Sequence, residues 1–112
     1  MFKEINNELE QIVKLIEIKS FELNNAREKF LLMKASYENS RARYLLEEKA
    51  KNTDLTQSEL NALATNLSHA DRLEFIKAES SYRRLVGEIK ALRDRLDVAQ
   101  EISYNLRRES QI

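Results

Sequence analysis

Seven large apolar residues recur at intervals of seven, namely Phe2, Leu9, Ile16, Leu23, Phe30, Tyr37 and Tyr44. A second, more mixed set, Ile5, Ile12, Lys19, Ala26, Met33, Ser40 and Glu47, falls between them and completes a 3,4 spacing. Such a rhythm keeps one face of an α-helix apolar turn after turn, as in a coiled-coil seam. Composition removes the alternatives: the 112 residues include one Gly (Gly87) and no Pro. A sheet protein of this size needs tight turns, which draw on those two residues for their backbone angles. The expected fold class is therefore all-α.

The second half repeats the rhythm in Phe75, Ala78, Tyr82, Leu85, Ile89, Leu92, Leu96, Ala99, Ser103 and Leu106. Between the halves lies Asn52-Thr53-Asp54-Leu55-Thr56-Gln57-Ser58-Glu59, rich in short polar side chains that compete for backbone hydrogen bonds and so favour turns and caps. Thr56 followed by Glu59 fits a capping box, in which the Thr oxygen takes the Glu59 amide and the Glu side chain returns to the Thr amide. Asp54 and Thr53 are rival caps. The spacing predicts one domain over 1–112, with a first arm at about 3–51, a turn at about 52–56 and a second arm at about 57–109.

If the chain reverses near Asp54, antiparallel partners should carry residue numbers with a constant sum. Phe2 and Leu106, Leu9 and Ala99, Ile12 and Leu96, Lys19 and Ile89, Ala26 and Tyr82, and Phe30 and Ala78 all add to 108. Large residues oppose small ones, which lets two helices close to native density. A long antiparallel two-helix coiled-coil hairpin is thus expected. Nearer the turn Tyr37 would face Asp71 and Ser40 would face Ser68, while Leu60, Leu63, Leu67, Ala70 and Leu73 sit one position off. A stutter in the supercoil, with a bend or a partner contact, accounts for that.

One seam buries too little apolar area to offset the ordering entropy of about 1–2 kcal/mol per residue. Apolar residues off the seam offer more: Val13, Leu15, Ile18, Phe21, Leu31, Leu32, Ala35, Ala42, Leu45 and Leu46 on the first arm, and Leu73, Ile76, Val86, Val98 and Ile102 on the second. Two readings are open. These residues build a homo-oligomer, a dimer or larger, packed as a helical bundle, or they dock another protein. Candidate interface positions are Ile18, Phe21, Leu32, Leu46, Ile76, Val86 and Gly87. At Gly87 either an exposed face tolerates the residue or a second helix approaches closely.

Nineteen Lys and Arg balance nineteen Asp and Glu, so bulk charge favours neither nucleic acid nor an anionic membrane. The distribution is uneven. Glu4, Glu8, Glu10, Glu17 and Glu22 dominate the start, and Arg83, Arg84, Lys90, Arg93, Arg95, Arg107 and Arg108 dominate the second arm. Cross-arm ion pairing is one explanation. Phosphate recognition, to which the guanidinium fork is suited, is the other. Arg41, Arg43, Lys49 and Lys51, interleaved with Tyr37 and Tyr44, form a second basic group of a kind that suits stacking on single-stranded bases, although both tyrosines hold seam positions. The candidate nucleic-acid contacts are Arg41, Arg43, Lys49, Lys51, Arg83 and Arg84.

Chemistry finds little footing. His69 is the only His and Cys is absent, so no metal site is expected. There is no Gly-rich phosphate loop or nucleophile elbow, and neither catalysis nor a cofactor or small-molecule substrate is expected. Lys19, at a seam position, either snorkels or acts as a polar register device. No apolar run approaches a membrane span and the first residues lack a signal-peptide layout, which points to the cytoplasm.

The run Ala78-Glu79-Ser80-Ser81-Tyr82-Arg83-Arg84-Leu85, continued by Glu88-Ile89-Lys90-Ala91-Leu92-Arg93-Asp94-Arg95-Leu96, resembles the second arm of small helical proteins from phage replication and recombination regions, similar in design to UvsY-type recombination mediators. The resemblance covers about the last 50 residues and implies a non-enzymatic oligomer that contacts single-stranded DNA together with a recombinase or a single-strand-binding protein. It assigns no residue, and the neutral net charge departs from strong DNA binding. Prefoldin-type chaperone subunits are similar in their antiparallel arms, but their inter-arm strands have no counterpart between Asn52 and Glu59. The alternative function is a protein-binding adaptor, scaffold or inhibitor.

Overall fold

The structure, a computed structural model, describes residues 1–51 and 54–111. The described residues form three helices, in the order α1 (Phe2–Lys51), α2 (Gln57–Leu67) and α3 (His69–Ser110), with no strand among them. It divides into two compact units, a terminal unit of Met1–Asn25 with Arg83–Ile112 and a central unit of Ala26–Tyr82. In each, α1 packs antiparallel to α3, as the paired seams predict.

In the terminal unit the seam supplies the interior. Ile12, Leu85, Ile89, Ala99 and Ser103 are buried, with Ile12 only 1% exposed. Ile5, Leu9, Ile16, Lys19, Leu23, Leu92, Leu96 and Leu106 are half-buried beside them. Two cross-arm ion pairs show the direction of the chains, Glu8 to Arg95 at 3.6 Å and Lys19 to Glu88 at 3.1 Å, since numbers rise along α1 as they fall along α3. Phe2 is the exception on the seam: it is 41% exposed, and the Arg107 guanidinium lies 5.7 Å from its ring centre.

The central unit is held by aromatic side chains. The Phe30 ring stacks on Phe75 at 5.6 Å and on Tyr82 at 5.5 Å, the two residues that flank buried Ala78 in the seam, so the expected Phe30–Ala78 register is realised. Offset stacking of this kind adds about 0.5–1.5 kcal/mol to the burial of the rings. Closer to the turn the same register continues. Tyr37 stacks on Phe75 at 5.8 Å and the Ser40 hydroxyl donates to Asp71 at 2.6 Å, residues one helical turn from the partners Asp71 and Ser68 that a constant sum assigns, just as Tyr82 and Phe75 lie one turn from Ala78.

The expected stutter takes a different form. Leu60, Ala64 and Ser68 are buried, whereas Leu67 and Leu73 are 43% and 44% exposed. The seam keeps its phase by placing polar Ser68 and half-buried Asp71 inside, rather than shifting to follow the leucines. The second arm is accordingly two helices, not one, parted at Ser68 (φ −93°, ψ 16°). Its hydroxyl donates to the Ala64 carbonyl at 2.7 Å, satisfying a buried polar group within its own helix. The backbone bond from Ser68 N–H to Ala64 O (3.1 Å) and that from Arg72 N–H to Ser68 O (3.0 Å) carry the helical pattern across the break.

Thr56 is the N-cap of α2, its hydroxyl accepting from Glu59 N–H at 3.2 Å as the capping box requires. The return bond differs from expectation: Thr56 Oγ1 donates to Glu59 Oε1 at 3.0 Å, so the carboxylate meets the hydroxyl instead of the Thr56 amide. Of the rival caps, Asp54 lies in the turn before the helix; Thr53, like Asn52 of the expected turn, lies outside the described residues.

Candidate interaction surfaces

Four of the six candidate nucleic-acid contacts lie on α1 in the central unit, and Arg83 and Arg84 belong to the terminal unit. Their guanidinium groups are largely engaged. Arg41 is half-buried and donates through Nε to Thr65 Oγ1 at 3.2 Å. Arg84 binds Glu88 Oε1 at 3.2 Å, and Arg83 also has a partner within the chain. Arg43 is freer, 63% exposed in its side chain, 3.8 Å from Glu47 and 5.1 Å from the Tyr44 ring centre. Lys49 and Lys51 are exposed in the last turn of α1, where a cation complements the helix dipole. Tyr37 and Tyr44 are half-buried, in keeping with their seam positions.

Lys19 and Glu88 form a polar cluster that joins the two arms. The ammonium meets Glu88 at 3.1 Å and Glu22 at 3.5 Å, and Glu88 also takes Arg84. The contact with Glu88, helped by the Coulombic attraction of Glu22, raises the Lys19 pKa above its usual value. The same contact holds the Glu88 carboxyl below the usual range, against the opposing effect of desolvation. Glu88 Oε2 is shielded from water, and the Lys19 ammonium 3.1 Å away is the charged group that meets it. Sequence spacing assigned Ile89 to Lys19; the neighbouring carboxylate was legible only as a residue one position from that partner.

The apolar candidates stand in solvent. Phe21 is 70% exposed, Leu46 69%, Leu32 64% and Ile18 55%, with Ile76 and Val86 both at 44%. Ile18, Phe21 and Val86 belong to the terminal unit, and Leu32, Leu46 and Ile76 to the central one. A Cβ built on Gly87 would meet nothing within 4 Å, so no side chain of this molecule requires glycine there. Tyr104, which the sequence did not single out, is 61% exposed with Arg108 at 6.0 Å from its ring centre.

Among the described residues, no three His, Cys, Asp or Glu side chains gather as a metal site would need, and no helix is long and apolar enough to cross a membrane. In comparisons with protein-family models, curated proteins and solved structures, nothing matches the chain.

Proposed function

We propose that this chain is an oligomeric helical accessory protein that acts by binding, with its exposed apolar helix faces as the working surface. The supporting observation is the contrast between Phe21, Leu32 and Leu46, each at least 64% exposed, and a seam that already fills the interior. Large apolar side chains left in solvent on a helix face mark interaction surfaces. Light scattering on the full chain across a concentration series tests this. The expected result is a mass that rises above the monomer; a monomer at every concentration refutes self-association.

A second reading, contact with single-stranded nucleic acid in the manner of a phage-type recombination mediator, is favoured by Arg43 lying over Tyr44 on the helix whose last turn carries exposed Lys49 and Lys51. Titration of a labelled oligonucleotide at low and moderate salt tests it. Binding that weakens as salt rises supports phosphate contact, and no binding at low salt removes this reading.

A further inference from the structure

The outward face of α1 in the central unit is complementary to itself when reversed. Positions 28, 35, 42 and 49 run down the middle of that face, half a turn of the helix away from the seam residues, and they hold Glu28, Ala35, Ala42 and Lys49. Leu31 and Leu45 flank them on one side, and Leu32 and Leu46 on the other. Leu31, Leu32 and Leu46 are 50%, 64% and 69% exposed, Ala35 and Ala42 are exposed, and Leu45 is half-buried. Leu31 with Leu46, Leu32 with Leu45, Ala35 with Ala42, and Glu28 with Lys49 are pairs whose numbers all add to 77. A second copy laid antiparallel about an axis between Glu38 and Asn39 therefore sets leucine beside leucine, alanine on alanine and carboxylate on ammonium. Neither Glu28 nor Lys49 has an ion-pair partner among the described residues.

We propose that this face is the contact between two copies of the chain, a two-fold symmetric antiparallel pair of α1 helices centred on Glu38 and Asn39. It rests on the reading of the chain as a self-associating protein and specifies the contact. An isologous interface requires each patch to complement its own image, which an arbitrary docking face for a foreign protein need not do. The charge order supplies the direction: parallel packing would set Glu28 on Glu28 and Lys49 on Lys49, and reversal sets them on each other. The alanines in the middle let the helix axes approach to about 8 Å, the lower end of ordinary helix packing. The leucines then close over both sides of that contact. Glu38 from the two copies meets near the axis, a polar break that limits affinity and favours a reversible dimer.

The chain has no Cys, so engineered thiols report the geometry directly. Ala35 and Ala42 are seven positions apart, about 10 Å along the helix, beyond the roughly 7 Å that a disulfide spans between α-carbons. Neither position can then link to its own copy across the axis, and the two cannot link within one chain. Mixing differently tagged Ala35→Cys and Ala42→Cys proteins under mild oxidation should give a disulfide-linked mixed dimer at least tenfold in excess over either like-with-like product. Leu46→Glu placed in both should abolish the link while circular dichroism shows an unchanged helix content. Like-with-like links equal to the mixed one, or no mixed link at all, overturn the proposal. A mass above the monomer without the mixed link refutes this contact while self-association stands. A monomer without the link leaves the face to a different protein and overturns both.

Discussion

Replacing Ile12 by Ala removes three carbon atoms from the most enclosed side chain of the terminal unit, 1% exposed in the structure. At about 0.8 kcal/mol for each buried methylene, the lost transfer energy is on the order of 2.4 kcal/mol. The space left between two helices adds a cavity cost, although neighbours on a narrow seam relax more easily than in a thick core, which places the total near 3 kcal/mol. For small domains, whose whole stability is roughly 5–15 kcal/mol, that is a large fraction, and the unfolding midpoint should fall by on the order of 10–15 °C. Urea unfolding followed by far-UV circular dichroism measures the energy and thermal melts the midpoint, both at one fixed low protein concentration. Tyr104→Ala in the same unit is the matched control. It deletes more carbon but from a side chain 61% exposed and outside the proposed binding surface, so its cost should stay within about 0.5 kcal/mol. Equal losses in the two variants would mean that the seam does not separate interior from surface, and would refute the reasoning.

Gly87→Ala should stabilise the chain by about 0.5–1 kcal/mol, because the added methyl meets open space and a helix interior prefers alanine; thermal melts showing no gain contradict this. Thr56→Ala removes the N-cap acceptor of α2 and should cost about 1 kcal/mol in urea unfolding, a cost that Thr56→Ser should largely avoid. Lys19→Met tests the ion cluster through pH. The Glu88 carboxyl is held low in the folded chain, so the stability it contributes is present above the ordinary carboxylate range and lost as pH falls through its folded value. The raised Lys19 contributes below the ordinary lysine range and loses that contribution as pH rises through its own folded value. Melts at neutral and acid pH should show the parent losing stability on acidification more steeply than the variant. Parallel curves would count against the coupling.

The seam was legible because burial along a helix follows a period that a string of residues displays directly. Ile12, Ala78, Leu85, Ile89 and Ala99 all fall where the spacing puts them, and all are buried. Legibility failed where several side chains competed for one position. Leu67 and Leu73 carry more apolar area than Ser68 and Asp71, yet the polar pair lies inward. Nothing local signals that Ser40 would meet Asp71 across the arms, or that Ser68 would satisfy its hydroxyl on the Ala64 carbonyl. The candidate surfaces divide in the same way. Exposure of Phe21, Leu32 and Leu46 follows from their place off the seam. The engagement of Arg41 by Thr65 and of Arg84 by Glu88 depends on where side chains come to rest.

From the residues alone came the helical class, the reversal near the middle, the facing stripes and the Thr56 cap, because each depends on backbone preference and short-range period. Tertiary structure decided the stacking of Tyr37 on Phe75, the meeting of Ser40 with Asp71, the interruption at Ser68 and the choice of Glu88 as the Lys19 partner. Those outcomes turn on small differences between competing long-range contacts, in which ring stacking and buried hydrogen bonds outweigh the preference of any single residue for its place.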